Sequence, residues 1–500
     1  MPVTRLVPLV PPVVLLGPPG VGKSTVGRAL ATRLGFTFID LDERAGADRF
    51  SIDGELRFRL REHLALAQAL TEGAVVIAAG AGIVDVDENA PLLQRALLVH
   101  LHAPADVCLA RLQTSPRPWL SSSSPSGWPA IYAAREGRRP DTRTRLGGAA
   151  VVASGPVDDV VVALVDAIRR WRLPHQPDHD VSDLLQLDDP AFSGRSFVIA
   201  EAVVADRLPR TDLVLALTPA DKRLATVEAI LSVLVREGVR RSDMVVAVGG
   251  GVLLDVVGLA AALHHRGTPW RAVPTTLLAM VDAGIGGKTA VDVLVDGAVT
   301  RNAAGVIHAP RSTCVWPGFV QTNDDDLRRH GRAEMLKHAL LWGAGDLEDA
   351  IAVDATAIAR SRGYKQAVVT SDLHETHLRH ALNLGHTVGH ALESVLGIAH
   401  GDAVLHGLRA ALWLSVEVAG LDVESANCAR AVIARLAPPS LPPLGADVVD
   451  TLVAACGRDK KGDASGIRFV LLQAPGAPVF ATVPGSVVGQ AIWSLSTAPA

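Results

Sequence analysis

Val13-Val14-Leu15-Leu16 runs straight into Gly17-Pro18-Pro19-Gly20-Val21-Gly22-Lys23-Ser24-Thr25, and an amphipathic pattern continues through Leu34. The apolar run predicts a short buried strand, and the periodic segment after it predicts a helix. Between them stands the complete GxxxxGK[ST] spacing, in the strand–loop–helix order it needs. Glycines at these positions let backbone N–H groups close on phosphate oxygens, and the helix N-terminus adds partial positive charge. Lys23 is placed to neutralise the β- and γ-phosphates, and Ser24 to ligate Mg²⁺. Gly20, Val21, Gly22, Lys23, Ser24 and Thr25 are therefore the candidate ATP-binding residues. The stretch calls for an α/β domain, a parallel sheet with flanking helices.

The residues that follow narrow down the acceptor. Phe36–Asp42 reads as a second strand ending in an Asp40-Leu41-Asp42 pair. Asp40 can sit near the magnesium, and Asp42 can orient a substrate hydroxyl or accept its proton. The same pair also suits a helix N-cap region. Phe58-Arg59 lies on a helix and offers a cation to a carboxylate. Val75–Ala79 is another buried strand, and it ends in Gly80-Ala81-Gly82 at the sheet edge where ligands bind. Arg117-Pro118-Trp119-Leu120 opens a lid-like serine-rich stretch, and Arg138 follows. In this order and spacing, residues 13 to about 170 resemble shikimate kinase. The resemblance implies that Asp42, Arg59, Gly80, Gly82 and Arg138 hold shikimate and that Arg117 covers ATP. It also gives catalytic roles to Lys23 and Asp42. Ala81 interrupts the family's three-glycine turn, and Pro140-Asp141-Thr142 replaces its Pro-Leu-Tyr.

A second chemistry-bearing stretch lies far downstream: Asn383-Leu384-Gly385-His386-Thr387-Val388-Gly389-His390-Ala391-Leu392-Glu393, followed by His400. On one helix, Arg379, Asn383, His386, His390 and Glu393 recur at steps of three and four and share a face. His386, His400 and a glutamate from elsewhere would make the His₂Glu set of a catalytic zinc with an open position. A polar helix with chance histidines is the plainer alternative. Upstream, Ser196–Ala200, Leu213–Leu217 and Met244–Val248 read as strands, and Lys222–Glu237 as a helix. Gly249-Gly250-Gly251 then opens a helix that carries Asp255. That arrangement suits either a pyrophosphate or a tight turn. Thr275, Thr276, Asp282 and Lys288 form a compact polar set on an apolar background. Glu334 supplies the missing carboxylate, with Lys337 on the same helix face. Lys365, Arg379 and Arg458-Asp459-Lys460-Lys461 add cations.

The segments GGGV…D, RG, VPTTLL, VDxxxGGKTAV, RN…G, AExxK, LRxxLNLGHTxGHAxE, HGxAV and RDKK follow one another here. By this series, residues from about 197 to 495 resemble 3-dehydroquinate synthase. The resemblance implies that Lys222, Gly250, Gly251, Asp255, Thr275, Thr276, Lys288, Arg301 and Thr322 surround NAD⁺. It implies that Glu334, His386 and His400 bind Zn²⁺ or Co²⁺. Arg266, Asp282, Asn302, Arg379 and Asn383 would meet a heptulosonate phosphate. Lys288, Lys337, Lys365, Asn383, His390, Lys460 and Lys461 would serve catalysis. Pro219 stands where the family has a glutamate before the NAD-side lysine, Leu254 replaces a glycine, and Arg301 replaces a lysine. The stretch leading to Lys222 is also shorter than the family's.

The expected organisation is a P-loop domain over 1–170, a Pro-, Asp- and His-rich linker over 171–195, and a synthase-like domain over 196–500. The last divides into an α/β NAD-binding part (196–318) and a helical metal and substrate part (319–500). With 500 residues, 49% apolar and 20% charged, the chain is globular and long enough for at least two cores. A net charge of −4 gives no electrostatic footprint for nucleic acid. The 4 cysteines are scattered, which suits a reducing compartment. The apolar N-terminus is broken by prolines at 2, 8, 11 and 12 and is too short to span a bilayer. The expectation is a cytoplasmic enzyme, bifunctional in the shikimate pathway and using ATP with Mg²⁺, NAD⁺ and zinc. It would act on small molecules, with no nucleic-acid or membrane partner, and two copies would associate through the synthase part. Two alternatives stand beside it: a sugar-phosphate cyclase of secondary metabolism, and a regulatory paralogue with weakened NAD and shikimate sites.

Overall fold

Apolar four-residue runs set the first sheet. Val13–Leu16 and Val75–Ala78 are buried along their whole length, the pattern of strands covered on both faces. The computed structural model describes residues 6–46, 50–114, 148–170, 185–190, 192–295, 297–343, 347–373, 375–458 and 466–497. The chain forms two compact units. One is Arg5–Arg172 with Thr370–Ala381; the other is Leu173–Val369 and Leu382–Ala500 with Met1–Thr4.

In the first unit the strand order is Thr37–Asp40, Val75–Ala78, Val13–Leu16, Leu97–His102, Ala149–Val152, parallel throughout. Leu30 of the helix Lys23–Leu34 and Leu164 of Val157–Arg170 pack with Val13 and Leu15 on one face. Leu66 of Phe50–Ala69 packs with Val14 and Leu16 on the other. A Cβ on Gly27 would stand 2.6 Å from the Phe38 ring, so glycine lets the first helix lie close on the sheet. The central strand thus delivers the phosphate-type loop to the carboxyl edge, beside Asp40 and Gly80.

The second unit holds another parallel sheet. Its order is Ser312–Thr313, Trp270–Pro274, Met244–Gly249, Ser196–Glu201, Leu213–Leu215. The edge strand stops at Leu215, short of the expected Leu217. The helix expected from Lys222 starts at Leu224. Thr218 accounts for the delay: its N–H and Oγ1 both donate to the Asp221 carboxylate, fixing a tight 3₁₀ turn over Pro219–Asp221. Lys222 is therefore presented ahead of the helix. An antiparallel hairpin, Lys288–Val295 with Ala298–Ile307, follows the sheet.

The stretch expected to be a solvated linker is docked at its far end. Asp189 is buried; it accepts from Ser312 Oγ at 2.9 Å and faces Arg271 at 3.8 Å and Arg311 at 3.7 Å. Residues 171–184 lie outside the described residues.

Helices dominate the rest, and here one expectation is corrected. Residues 379–393 do not share a single α-helix. Leu378–Asn383 is a 3₁₀ segment, Gly385 takes φ +78°, and a new α-helix spans His386–Leu396. The break lies at a close helix contact. Gly407, on the helix His400–Leu414, lies so close that a Cβ there would collide with the Gly385 carbonyl oxygen. No helix among the described residues is long and apolar enough to cross a membrane.

Candidate active sites

A cleft of about 470 Å³ opens at the carboxyl edge of the first sheet. Gly20 to Thr25, Asp40, Asp42 and Ala81 line it. Gly20 and Gly22 take φ +79° and +100°, conformations that side chains resist. Lys23 folds back and donates to the carbonyls of Gly17 (2.8 Å) and Pro18 (3.1 Å). Ser24 Oγ donates to Asp40 Oδ2 at 2.6 Å. The other Asp40 oxygen accepts from the N–H of Asp42 and caps the short helix Leu41–Arg44. Asp40 is thus the N-cap of that helix and also the partner of Ser24.

Asp42, Arg59, Glu62, Gly80 and Gly82 converge deeper in the unit. Arg59 Nη1 donates to Glu62 Oε2 at 2.7 Å, and Glu62 is fully buried. A Cβ on Gly80 would stand 2.8 Å from Asp42 Oδ1 and collide with Glu62; one on Gly82 would collide with the Arg59 guanidinium. A Cβ at either position would require Glu62, Asp42 or Arg59 to move, whereas Ala81 between them lines the cleft. Arg117 and Arg138 lie outside the described residues. Sequence reading missed Glu62, and it missed Arg111, whose Nη1 donates to the carbonyls of Val21 and Ala153, both at 3.0 Å.

In the second unit, Lys222, Asp255 and Asn302 meet. Lys222 Nζ lies 2.5 Å from Asp255 Oδ2 and 2.5 Å from Asn302 Oδ1. Burial pushes the Asp255 carboxyl up, and Lys222 opposes it. Asn302, expected on the substrate, thus bonds Lys222, expected at NAD⁺. Gly250 precedes the helix Gly251–Leu263, and its N–H donates to Glu201 Oε2 at 2.9 Å. Burial raises the Glu201 carboxyl, against the pull of that bond. Glu201 ends the strand next to the glycine turn but precedes it by 49 residues. Only strand pairing joins them, and sequence reading missed it.

Thr275 is buried and its carbonyl accepts from Asn323 Nδ2 at 3.0 Å. Thr276 Oγ1 accepts from the Ala279 N–H at 3.2 Å. Thr322 Oγ1 donates to the Phe319 carbonyl at 2.7 Å. Lys288 begins its hairpin, and Arg266 takes φ +63°. Arg301, expected at NAD⁺, pairs with Glu393 and is largely exposed.

The densest cluster is ionic. Lys365 Nζ donates to Asp282 Oδ1 (2.5 Å) and to the Asp282 carbonyl (2.7 Å). Burial works to raise the Asp282 carboxyl, but Lys365 and Lys337 outweigh it and hold it below the usual range. Burial likewise works on Glu334, and the attraction of Lys337 and His386 holds it well below its ordinary value. His386 Nε2 stands 3.4 Å from Glu334 Oε1, while its Nδ1 contacts the Leu384 carbonyl at 3.1 Å. Burial first, then Lys337, lowers the His386 pKa, which keeps the imidazole in its neutral, ligating form. Donor atoms of Glu334, His386 and His400 all lie within 4.8 Å of one another. This set has the chemistry and closeness of a His₂Glu metal site. The His390 ring centroid lies 5.4 Å from that of His386 and 6.0 Å from that of His400. The helix break therefore leaves the histidine cluster intact. Arg379 is buried in the segment assigned to the first unit, where Nη1 donates to the Leu373 carbonyl at 2.8 Å. Asn383 closes the 3₁₀ segment. Lys460 and Lys461 lie outside the described residues.

Residues 19–140 match the family model for shikimate kinase. Residues 212–329 and 331–462 match those for the N-terminal and C-terminal parts of 3-dehydroquinate synthase. A bifunctional shikimate kinase/3-dehydroquinate synthase of Thermotoga maritima is 31% identical over 425 residues, covering 79% of this chain and 82% of the relative. A 3-dehydroquinate synthase of Aeropyrum pernix is 36% identical over 282 residues, 54% of this chain and 76% of the relative. A solved 2-epi-5-epi-valiolone synthase of Streptomyces hygroscopicus, with NAD⁺ and Zn²⁺ bound, matches at TM-score 0.56 and 27% identity. That match covers 65% of this chain and 99% of the other.

Proposed function

The chain belongs to the family of bifunctional shikimate kinase/3-dehydroquinate synthases, and from that premise we infer which of its own residues serve each reaction. It is an enzyme of two activities. One is ATP-dependent phosphorylation of shikimate to shikimate 3-phosphate. The other converts 3-deoxy-D-arabino-heptulosonate 7-phosphate to 3-dehydroquinate and phosphate. When bound, Mg²⁺ neutralises ATP, NAD⁺ accepts and returns a hydride, and zinc or cobalt acts as a Lewis acid.

At the kinase site, Lys23 exchanges the carbonyls of Gly17 and Pro18 for phosphate oxygens, and the loop N–H groups from Gly20 to Thr25 cradle them. Asp42 orients the acceptor hydroxyl and takes its proton. Arg59, braced by Glu62, meets the shikimate carboxylate, and Gly80 and Gly82 leave the space.

At the synthase site, Glu334, His386 and His400 hold the metal. Lys222, Asp255, Gly250, Gly251, Thr275 and Thr276 hold the dinucleotide, and Glu201 offers a carboxylate oxygen to one of its hydroxyls. Lys337 and Lys365 exchange their present carboxylate partners for substrate phosphate and carboxylate. His390 moves protons beside the metal ligands, and Asn383 orients the substrate. The observation that carries this reading is the Glu334–His386–His400 set, with Glu334 buried and the buried Lys337 and Lys365 and the Asp282 carboxylate against it. Buried charges are costly to keep, so a paralogue with decayed sites has no reason to retain them. We further infer a cytoplasmic setting and association through the synthase half. The free cysteines, three of them buried, suit a reducing compartment.

The test is direct. Protein with NAD⁺, Zn²⁺ and the heptulosonate phosphate should release inorganic phosphate and form dehydroquinate; folded protein that releases none overturns the assignment. Faster turnover of a heptulose phosphate lacking the carboxylate would favour a secondary-metabolic cyclase, the class of the valiolone synthase above.

A further inference from the structure

Glu393 divides its carboxylate between two distant parts of the second unit. Oε2 stands 3.3 Å from His400 Nδ1, and Oε1 meets Arg301 Nη1. The glutamate side chain is only 12% exposed, and an acid buried so far needs such partners. His400 opens the helix His400–Leu414 and belongs to the donor set above. Arg301 sits on the hairpin strand Ala298–Ile307, next to Asn302, which bonds Lys222.

An imidazole that donates its Nδ1–H to a carboxylate keeps Nε2 unprotonated and turned the other way, the form that binds a metal. His386 has the same arrangement by different means, its Nδ1 against the Leu384 carbonyl and its Nε2 toward Glu334. Each histidine of the set thus has its Nδ1 held. We propose that Glu393 is a positioning residue for the metal centre: it fixes His400 with Nε2 toward the metal, and Arg301 fixes Glu393. The nucleotide-side hairpin is thereby tied to a metal ligand. This rests on the reading of Glu334, His386 and His400 as the metal set.

The test is metal affinity in the full chain, by competition with a chromophoric chelator for Zn²⁺ and by visible absorption of the Co²⁺-loaded protein. Far-UV circular dichroism serves as the folding control. Glu393→Ala should weaken Zn²⁺ binding about 10–100-fold while the cobalt band keeps its wild-type position and intensity. Glu393→Gln, which keeps an acceptor oxygen, should lose less. Arg301→Ala should fall between wild type and Glu393→Ala, and Arg301→Lys should recover most of the loss. Wild-type affinity in folded Glu393→Ala overturns the proposal. A collapsed cobalt band in that variant also overturns it, because Glu393 would then be a ligand. Wild-type affinity in Arg301→Ala overturns the link to the hairpin. His386→Ala separates the premise: if it binds zinc as well as wild type, the metal set itself is wrong.

Discussion

The phosphate loop and the metal centre are built by opposite means. The loop is one continuous stretch, and most of what it offers a ligand is backbone: N–H groups, three glycines at positive φ, and a helix start. Side chains act at its margin, where Lys23 bonds within the loop and Ser24 reaches Asp40 of the strand Thr37–Asp40. The metal centre has no continuous stretch. Glu334 comes from Asp325–Trp342, His386 from His386–Leu396 and His400 from His400–Leu414, with Asp282 and Lys365 from further elements. It works through side chains, and two of them, Glu334 and Lys365, are charged and buried. A backbone site tolerates change in its surroundings. A side-chain site depends on every helix that feeds it.

The largest test of this contrast is a reciprocal pair of substitutions. Glu334→Gln should lower phosphate release from the heptulosonate phosphate by at least about 10³-fold and empty the zinc site, with kinase turnover unchanged. Lys23→Ala should lower shikimate phosphorylation about 10²–10³-fold and leave phosphate release alone. If either variant lost both activities, the two sites would not be independent constructions. Next in size is Gly407→Ala. Its Cβ would press on the Gly385 carbonyl, which immediately precedes the helix of His386. Overpacking of this kind costs about 1–3 kcal/mol, so urea unfolding should show a weakened second unit and zinc analysis a reduced content. Normal stability would mean that the crossing can give way.

The smallest effect concerns Asp372. Burial works to raise its carboxyl, but N–H groups of Thr376, Arg379 and His377 outweigh it and leave it below its ordinary 3.8. A depressed acid adds stability that is complete above its unfolded value and lost as pH falls through the lower folded one. Stability should therefore drop below about pH 4. Asp372→Asn should cost about 1–3 kcal/mol at pH 7 and remove that acid-side drop. A variant that still shows it would assign the drop to other carboxylates.

The same contrast explains what could be read from residues alone. The loop was legible because its function is written consecutively, and the sheet around it followed from unbroken apolar runs. The synthase set was legible only by joining separated segments through family resemblance. The break at Gly385 was not visible, since a glycine inside a periodic pattern costs a helix only about 1 kcal/mol and leaves the spacing looking continuous. The break coincides with a close approach of Gly407, 22 residues on, across a helix crossing. Glu201 and Arg111 escaped for a similar reason, because each bonds the backbone of a segment that only strand pairing brings near. The Arg301–Glu393 pair was not legible either, because its partners stand 92 residues apart, one on a hairpin strand and one on a helix.

The docking of Asp189 bears on where the chain can be cut. Residue 196 looks like a natural start for an isolated synthase, since the first strand begins there. That cut would remove the carboxylate facing the buried Arg271 guanidinium. Stranding a buried charge in this way costs about 3–5 kcal/mol, enough to turn a soluble half-enzyme into an aggregate. It would also remove Asp188, which pairs with Arg210 at 2.6 Å. A dissected synthase therefore has to carry the preceding turn with it, and a protease that separates the halves cleanly must cleave ahead of that pair of aspartates.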